Sequence, residues 1–232
     1  MANLVKITFC GGTGSVTGAN FLLETEGKKI LVDCGLTQGT KLADDINWDP
    51  FPYNPKEIDI LIVTHAHVDH IGRIPKLVNE GFRGKIYSTL PTKSLSLPML
   101  EDTAGLLSKN TEYDLGEIYS PENIKLAMSL WLGFKYHETI NITDNLEFSF
   151  LNSGHILGSA MVQFILNKKK ILFTGDLGNS PSMLLPDTEI VNDIDYLIME
   201  STYGDRNHES RHDRRKNLEI AIEDNYKRKG TL

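Results

Sequence analysis

Ile58-Asp59-Ile60-Leu61-Ile62-Val63-Thr64-His65-Ala66-His67-Val68-Asp69-His70 is the stretch on which the fold turns. The largely β-branched run from Ile58 to Thr64 predicts a buried strand, and it ends in three histidines and an aspartate. Side chains two apart on an extended segment project to one side, so His65 and His67 can reach one cation together. Asp69 and His70 follow where the chain turns into the next element, and they offer a second set of ligands. Imidazole with carboxylate suits Zn²⁺, and by ligand type also Mn²⁺ or Fe²⁺. The chain has seven His, and three of them within six residues of a strand end are a poor fit to chance surface placement.

Working outward, short strands and tight turns fill the region before this cluster. Lys6–Phe9 runs into a loop holding Gly11, Gly12, Gly14 and Gly18, and Phe21–Thr25 and Lys29–Asp33 flank a Glu26-Gly27 hairpin turn. After it come a short helix over Ile71–Glu80, a strand at Lys85–Thr89 and a helix over Thr92–Lys109, with Pro98 an internal kink or a boundary. Ser120 as N-cap with Pro121 behind it predicts another helix. Strands follow at Glu138–Ile142, Leu146–Leu151, Ala160–Leu166 and Lys170–Thr174, the last two joined by a hairpin loop at Asn167–Lys169. A buried strand at Asp195–Met199 and a helix over Ser210–Lys229, stopped by Gly230, complete the pattern. Such an order predicts two packed sheets with helices outside.

Composition narrows the class. The 232 residues are 40% hydrophobic and carry 24 basic against 31 acidic side chains, a net charge of −7, so the chain as a whole is no basic nucleic-acid binder. A local basic patch beside a metal site would still suffice for a nucleic-acid substrate. Two cysteines, Cys10 and Cys34, cannot form a disulfide framework. The aliphatic runs are too short to span a bilayer, and the start lacks a signal-peptide pattern. A cytoplasmic location without membrane contact is the expectation.

Two later positions look like further ligands. His155 lies in Ser153-Gly154-His155-Ile156-Leu157-Gly158-Ser159, and Asp176 in Thr174-Gly175-Asp176-Leu177-Gly178, each after a predicted strand. Alone, either sequence is more often a simple turn. Their order after the histidine cluster raises both, and a carboxylate such as Asp176 can bridge two cations about 3.5–4 Å apart.

The cluster HAHVDH with the later Gly-His and Gly-Asp resembles the metallo-β-lactamase fold over nearly the whole chain. The resemblance implies a four-layer αββα sandwich in the α/β class, here without its C-terminal part. Leu31-Val32-Asp33-Cys34-Gly35 matches that family's early strand. There the aspartate orients the metal loop without binding metal, although Asp33 reads almost equally well as a turn residue. Gly11–Asn20, Gly154–Ala160 and above all Glu200-Ser201-Thr202-Tyr203-Gly204-Asp205 resemble the β-CASP branch of nucleases, which includes RNase J and the pre-mRNA 3′-end processing endonuclease.

That resemblance implies a division into residues 1–203, lactamase-like, and 204–232, the opening of an interrupted β-CASP domain. It implies two Zn²⁺ ions. His65, His67 and His155 would hold the first, Asp69 and His70 the second, with Asp176 between them. Asp69 and Glu200 are the candidate catalytic residues, Glu200 positioning a histidine absent from this chain. The expected activity is hydrolysis of RNA phosphodiester bonds by a metal-activated water, in RNA processing or decay. Because the later histidines are missing, the chain is expected to fold yet to be nearly inactive by itself. Expected partners are the RNA substrate and either a second copy or subunits of a processing complex. Tyr203 and Arg206 are candidate substrate contacts, by stacking and by phosphate pairing, although the charged run over residues 206–216 reads first as a solvated helix face. The rival readings are a DNA nuclease of the same branch, a small-molecule metallohydrolase and a non-catalytic scaffold subunit.

Overall fold

The computed structural model describes residues 5–39, 46–107, 115–182, 184–207 and 210–231, without the side chains of Arg211 and His212. The chain divides into two compact units, Met1–Glu200 and Ser201–Leu232.

In the first unit, six strands form one sheet in the order β1-β2-β3-β4-β5-β6. These are β1 (Lys6–Gly11), β2 (Asn20–Thr25), β3 (Lys28–Val32), β4 (Ile60–Ile62), β5 (Lys85–Thr89) and β6 (Trp131–Phe134). β1, β2 and β3 pair antiparallel, and β3 through β6 pair parallel. The turn between β2 and β3 has Glu26 and Gly27 both at positive φ, 51° and 71°, which suits the twist of a two-residue hairpin. The second sheet runs β11-β10-β9-β8-β7, with β7 (Ile140–Thr143), β8 (Leu146–Asn152), β9 (Ala160–Leu166), β10 (Lys169–Phe173) and β11 (Tyr196–Ile198).

Period-two alternation assigns each apolar residue to one of two cores. On β3 and β4, Ile30, Val32, Ile60 and Ile62 face the second sheet, where Phe148, Phe150, Phe164 and Phe173 meet them. Leu31, Leu61 and Val63 face the other way, onto helices. The first sheet is therefore apolar on both faces, as parallel strands between covering layers are. Helices α1 (Val68–Ile71), α2 (Ile74–Asn79), α3 (Leu90–Leu107) and α4 (Pro121–Leu130) lie in the outer layer. Leu77, Leu100, Ile124 and Ala127 on these helices close that core. No helix is long and apolar enough to cross a membrane among the described residues.

Several elements differ from the sequence expectation. The strand expected over Ile58–Thr64 pairs only at Ile60–Ile62. Before it, Asp59 is diverted to accept from the Lys29 amide at 2.9 Å and to pair with Lys28. The helix expected at Ile71–Glu80 is two short ones, broken at Gly72-Arg73, with Pro75 in the first turn of the second. Strand β6 was not expected, because Trp131 follows α4 with no breaker between them. Its indole donates to Ser88 Oγ at 2.8 Å, so the large ring is buried with its polar atom satisfied. The strand at Asp195–Met199 is present as β11 but is not buried: Tyr196 is 59% and Leu197 54% exposed. Among the described residues it is an edge strand, paired with β10 alone. Ser108 and Lys109, expected in α3, lie outside the described residues.

The second unit contains α5 (Arg211–Arg228), whose N-cap Ser210 accepts from the Asp213 amide. The left-handed residue ending it is Lys229, φ 55°, rather than Gly230. Its described charged residues are solvent-facing, with an Arg215–Glu219 pair one turn apart.

Candidate metal centre

The carboxyl ends of β3, β4, β8 and β10 meet on one rim of the first unit. Each contributes a polar residue just past its last paired position: Asp33, Thr64 through His70, His155 and Asp176. His67 is extended (φ −70°, ψ 150°) as the N-cap of α1, so His65 and His67 keep the two-residue spacing that aligns them. Asp69 and His70 then sit on the first turn of α1 and come at the rim from the side.

Two donor sets result. In the first, the ligand atoms of His65, His67, His155 and Asp176 lie within 4.8 Å of one another. His65 Nε2 is 3.0 Å and His155 Nε2 3.1 Å from His67 Nδ1. Asp176 Oδ2 is 3.7 Å from His65 Nε2 and 3.6 Å from His155 Nε2. Ligands about 2.0–2.2 Å from a tetrahedral cation stand roughly 3.3 Å apart, so the cluster needs little adjustment to hold one. A single ring nitrogen, His67 Nδ1, faces both of the other imidazoles at hydrogen-bond distance, so the three nitrogens converge on one point. In the second set, His70 Nε2 is 3.2 Å from Asp176 Oδ1 and 3.8 Å from Asp69 Oδ2. The two oxygens of Asp176 thus serve different sets.

Electrostatics sort the histidines. Burial, then the neighbouring His70, His67 and His155, push His65 well below the usual histidine range, so it is the neutral ligand form. His155 is lowered chiefly by burial. His70 behaves oppositely: burial works against its charge, but Asp33 and Asp176 overcome that and raise it to about 10. Burial would raise Asp176, but the hydrogen bond and charge of His70, together with His155 and His67, hold it below the usual carboxylate range.

Supporting contacts fix the ligands. Asp33 is 1% exposed and sits at φ 59°, a left-handed conformation that costs a non-glycine residue about 1–2 kcal/mol. Its Oδ1 accepts from the Thr64 amide at 2.8 Å, and its Oδ2 takes the Thr64 hydroxyl at 2.8 Å and His70 Nδ1 at 2.7 Å. Asp33 thus contacts Thr64 and His70 and belongs to neither donor set. Buried Ser159 accepts from the amides of His155 (3.0 Å) and Ile156 (3.1 Å), which shapes the His155 loop. Glu200 Oε1 accepts from the Leu177 amide at 2.9 Å, holding the turn that carries Asp176. Sequence reasoning gave Glu200 a histidine partner and missed both Thr64 and Ser159. A hydroxyl beside a ligand was the available signal. Of the two candidate substrate contacts, Arg206 stands over the Tyr203 ring, 5.3 Å from its centroid, and both are exposed. Cys10 and Cys34 are free thiols.

A histidine–aspartate cluster at the seam of two β-sheets, with a carboxylate shared between two donor sets, is a donor arrangement suited to divalent metal. The chain belongs to the metallo-β-lactamase superfamily, whose domain profile matches residues 22–201. It is 36% identical over 204 residues to a ribonuclease of Thermus thermophilus, covering 88% of this chain and 45% of that protein. With an RNase J-like protein of Methanocaldococcus jannaschii it shares 37% identity over 203 residues, 87% of this chain and 43% of the other. The chain thus spans less than half the length of these relatives. Among solved structures, a protein of unknown function from Enterococcus faecalis superposes with a TM-score of 0.51 at 16% identity, covering 76% of this chain and 44% of that one, a likeness of fold alone.

Proposed function

We propose that this chain carries the metal centre of a zinc-dependent ribonuclease of the β-CASP branch, with two Zn²⁺ ions and an RNA substrate. The observation that carries the reading is Asp176, whose oxygens face two adjoining donor sets of four and three residues. Bound divalent ions would supply a water activated near neutral pH and offset charge on a phosphodiester. In this reading His65, His67 and His155 hold the first ion and Asp69 and His70 the second, with Asp176 common to both. Asp33 fixes the orientation of His70, and Glu200 fixes the turn bearing Asp176. Residues 1–203 form the lactamase-like domain and residues 204–232 open the β-CASP segment, with Tyr203 and Arg206 at the substrate. The names of the two relatives, one a ribonuclease and the other RNase J-like, favour RNA over DNA, a lactam or a thioester.

The test uses zinc-loaded protein on three substrates: single-stranded RNA, a bis(4-nitrophenyl) phosphate diester and a chromogenic lactam. The nitrophenolate leaves without an acid, so the diester reports on the metal centre alone. Zinc-dependent release from the diester, with the lactam untouched, is expected. Hydrolysis of the lactam alone would refute the nuclease reading.

A further inference from the structure

Thr64 lies at the centre of the site without contributing a ligand atom. It is 1% exposed, its carbonyl accepts from the Ala160 amide at 2.9 Å, and its amide is held by Asp33 Oδ1. Its hydroxyl is 2.8 Å from Asp33 Oδ2 and 3.1 Å from His65 Nδ1. His70 Nδ1 is further away, at 3.4 Å, and is already committed to Asp33 Oδ2 at 2.7 Å.

The donor and acceptor inventory leaves one assignment. An ionised carboxylate only accepts, so the hydroxyl proton of Thr64 goes to Asp33. The oxygen of Thr64 is then an acceptor toward His65, which must carry its proton on Nδ1. His65 Nε2 is left with a lone pair, and that is the atom facing His67 and Asp176. One buried aspartate thus orients both sets, His70 directly and His65 through a hydroxyl. The same side chain also packs on the turn bearing the shared carboxylate. A Cβ at Gly175 would come within 2.8 Å of Thr64 Cβ and 2.9 Å of its Oγ1, and Gly175 has φ +54°. Only glycine lets that turn approach so closely.

We propose that Thr64 is a positioning residue that selects the metal-binding tautomer of His65, and so governs the first donor set separately from the second. The proposal rests on the reading that these residues hold divalent metal.

Zn²⁺ titrations against a chromophoric chelator, on wild type, Thr64→Val and Thr64→Ser, test it. Valine keeps the shape of threonine but leaves the buried Nδ1–H of His65 without an acceptor, so the tautomer that blinds Nε2 gains ground. Loss of a contact behind a metal ligand weakens binding about 10–100-fold. That loss is expected for the tighter, four-residue set in Thr64→Val, with less than about threefold change at the three-residue set. Thr64→Ser is expected to restore wild-type binding. Long-range ¹H–¹⁵N correlation of the imidazoles supplies a readout that needs no variant: zinc-loaded wild type should show His65 protonated at Nδ1. A proton on Nε2 instead overturns the proposal, even if Thr64→Val does not fold. So does a serine variant as weak as the valine one, or an equal loss at both sets. Wild-type protein that takes up no zinc would overturn the metal reading itself, a different failure.

Discussion

Gly35 offers the sharpest test of how the second donor set is built. A Cβ there would lie 1.5 Å from the Asp69 carbonyl oxygen, 2.0 Å from its carbon and 2.7 Å from the His70 nitrogen. All three are backbone atoms, so no rotamer change relieves the clash. Reaching ordinary contact needs a retreat of about 2 Å by the Asp69 peptide. That peptide is tied down by three neighbouring bonds: Ala19 N to Asp69 O at 3.0 Å, Cys34 N to His70 O at 2.8 Å and Leu36 N to Val68 O at 3.0 Å. A displacement of 2 Å breaks at least two of them, each worth about 0.5–1.5 kcal/mol. Overpacking adds about 1–3 kcal/mol. Gly35→Ala should therefore destabilise the metal-free protein by about 2–6 kcal/mol. It should also draw Asp69 and His70 away from Asp176, so metal at the three-residue set is lost before metal at the four-residue set. Urea unfolding in the presence of a chelator measures the first effect, and elemental analysis after zinc loading the second. A variant within about 0.5 kcal/mol of wild type, with unchanged metal content, would show that the turn at Asp69 is not held as described.

Replacing His65 and His67 together by alanine should remove most of the bound metal, as elemental analysis would register, and unchanged content would break the ligand assignment. Ser159→Ala leaves the amides of His155 and Ile156 without their acceptor, so a loss of about 1–3 kcal/mol in chemical unfolding is expected, with weaker metal binding at the first set. His70 gives a pH dependence of defined sign. In the metal-free protein its pKa stands at about 10, above the ordinary histidine value, so its contribution to stability is full below about 6.5 and is lost as pH rises through 10. Metal needs the Nε2 lone pair, so binding at pH 7 should expel about one proton from His70 and strengthen as pH rises. Calorimetry in buffers of different ionisation enthalpy counts that proton, and the count should vanish in His70→Ala.

Much of this was legible because the signals were local. The ligand cluster, the order of later Gly-His and Gly-Asp turns, the Ser120 N-cap and the Glu26-Gly27 hairpin all depend on neighbours in sequence. What escaped was set by contacts across the fold. Trp131 continues an amphipathic helix without any breaker, and only pairing with β5 makes it the first residue of a strand. The apolar run at β11 suggests burial, but burial depends on what lies against a strand, and among the described residues this one pairs with β10 alone. For Asp33 the sequence leaves turn residue and positioning residue nearly balanced, because the three donors that converge on it, from Thr64 and His70, lie more than thirty residues away. Thr64 and Ser159 went unnoticed because a hydroxyl beside a histidine looks like ordinary turn chemistry until its partners, remote or local, are known.

The donor residues come from both sheets: His65, His67, Asp69 and His70 from the rim of the first, His155 and Asp176 from the rim of the second. An ion held among them is a cross-link between layers that are otherwise joined by a core of apolar side chains. Like a disulfide, it restrains segments distant in the chain, but its strength is set by free metal concentration as RT ln(1 + [M]/Kd). Removing such an ion would therefore do more than empty a site. It would loosen the seam between the two sheets, so that resistance to unfolding and to proteolysis would become a reading of how much metal the surroundings supply.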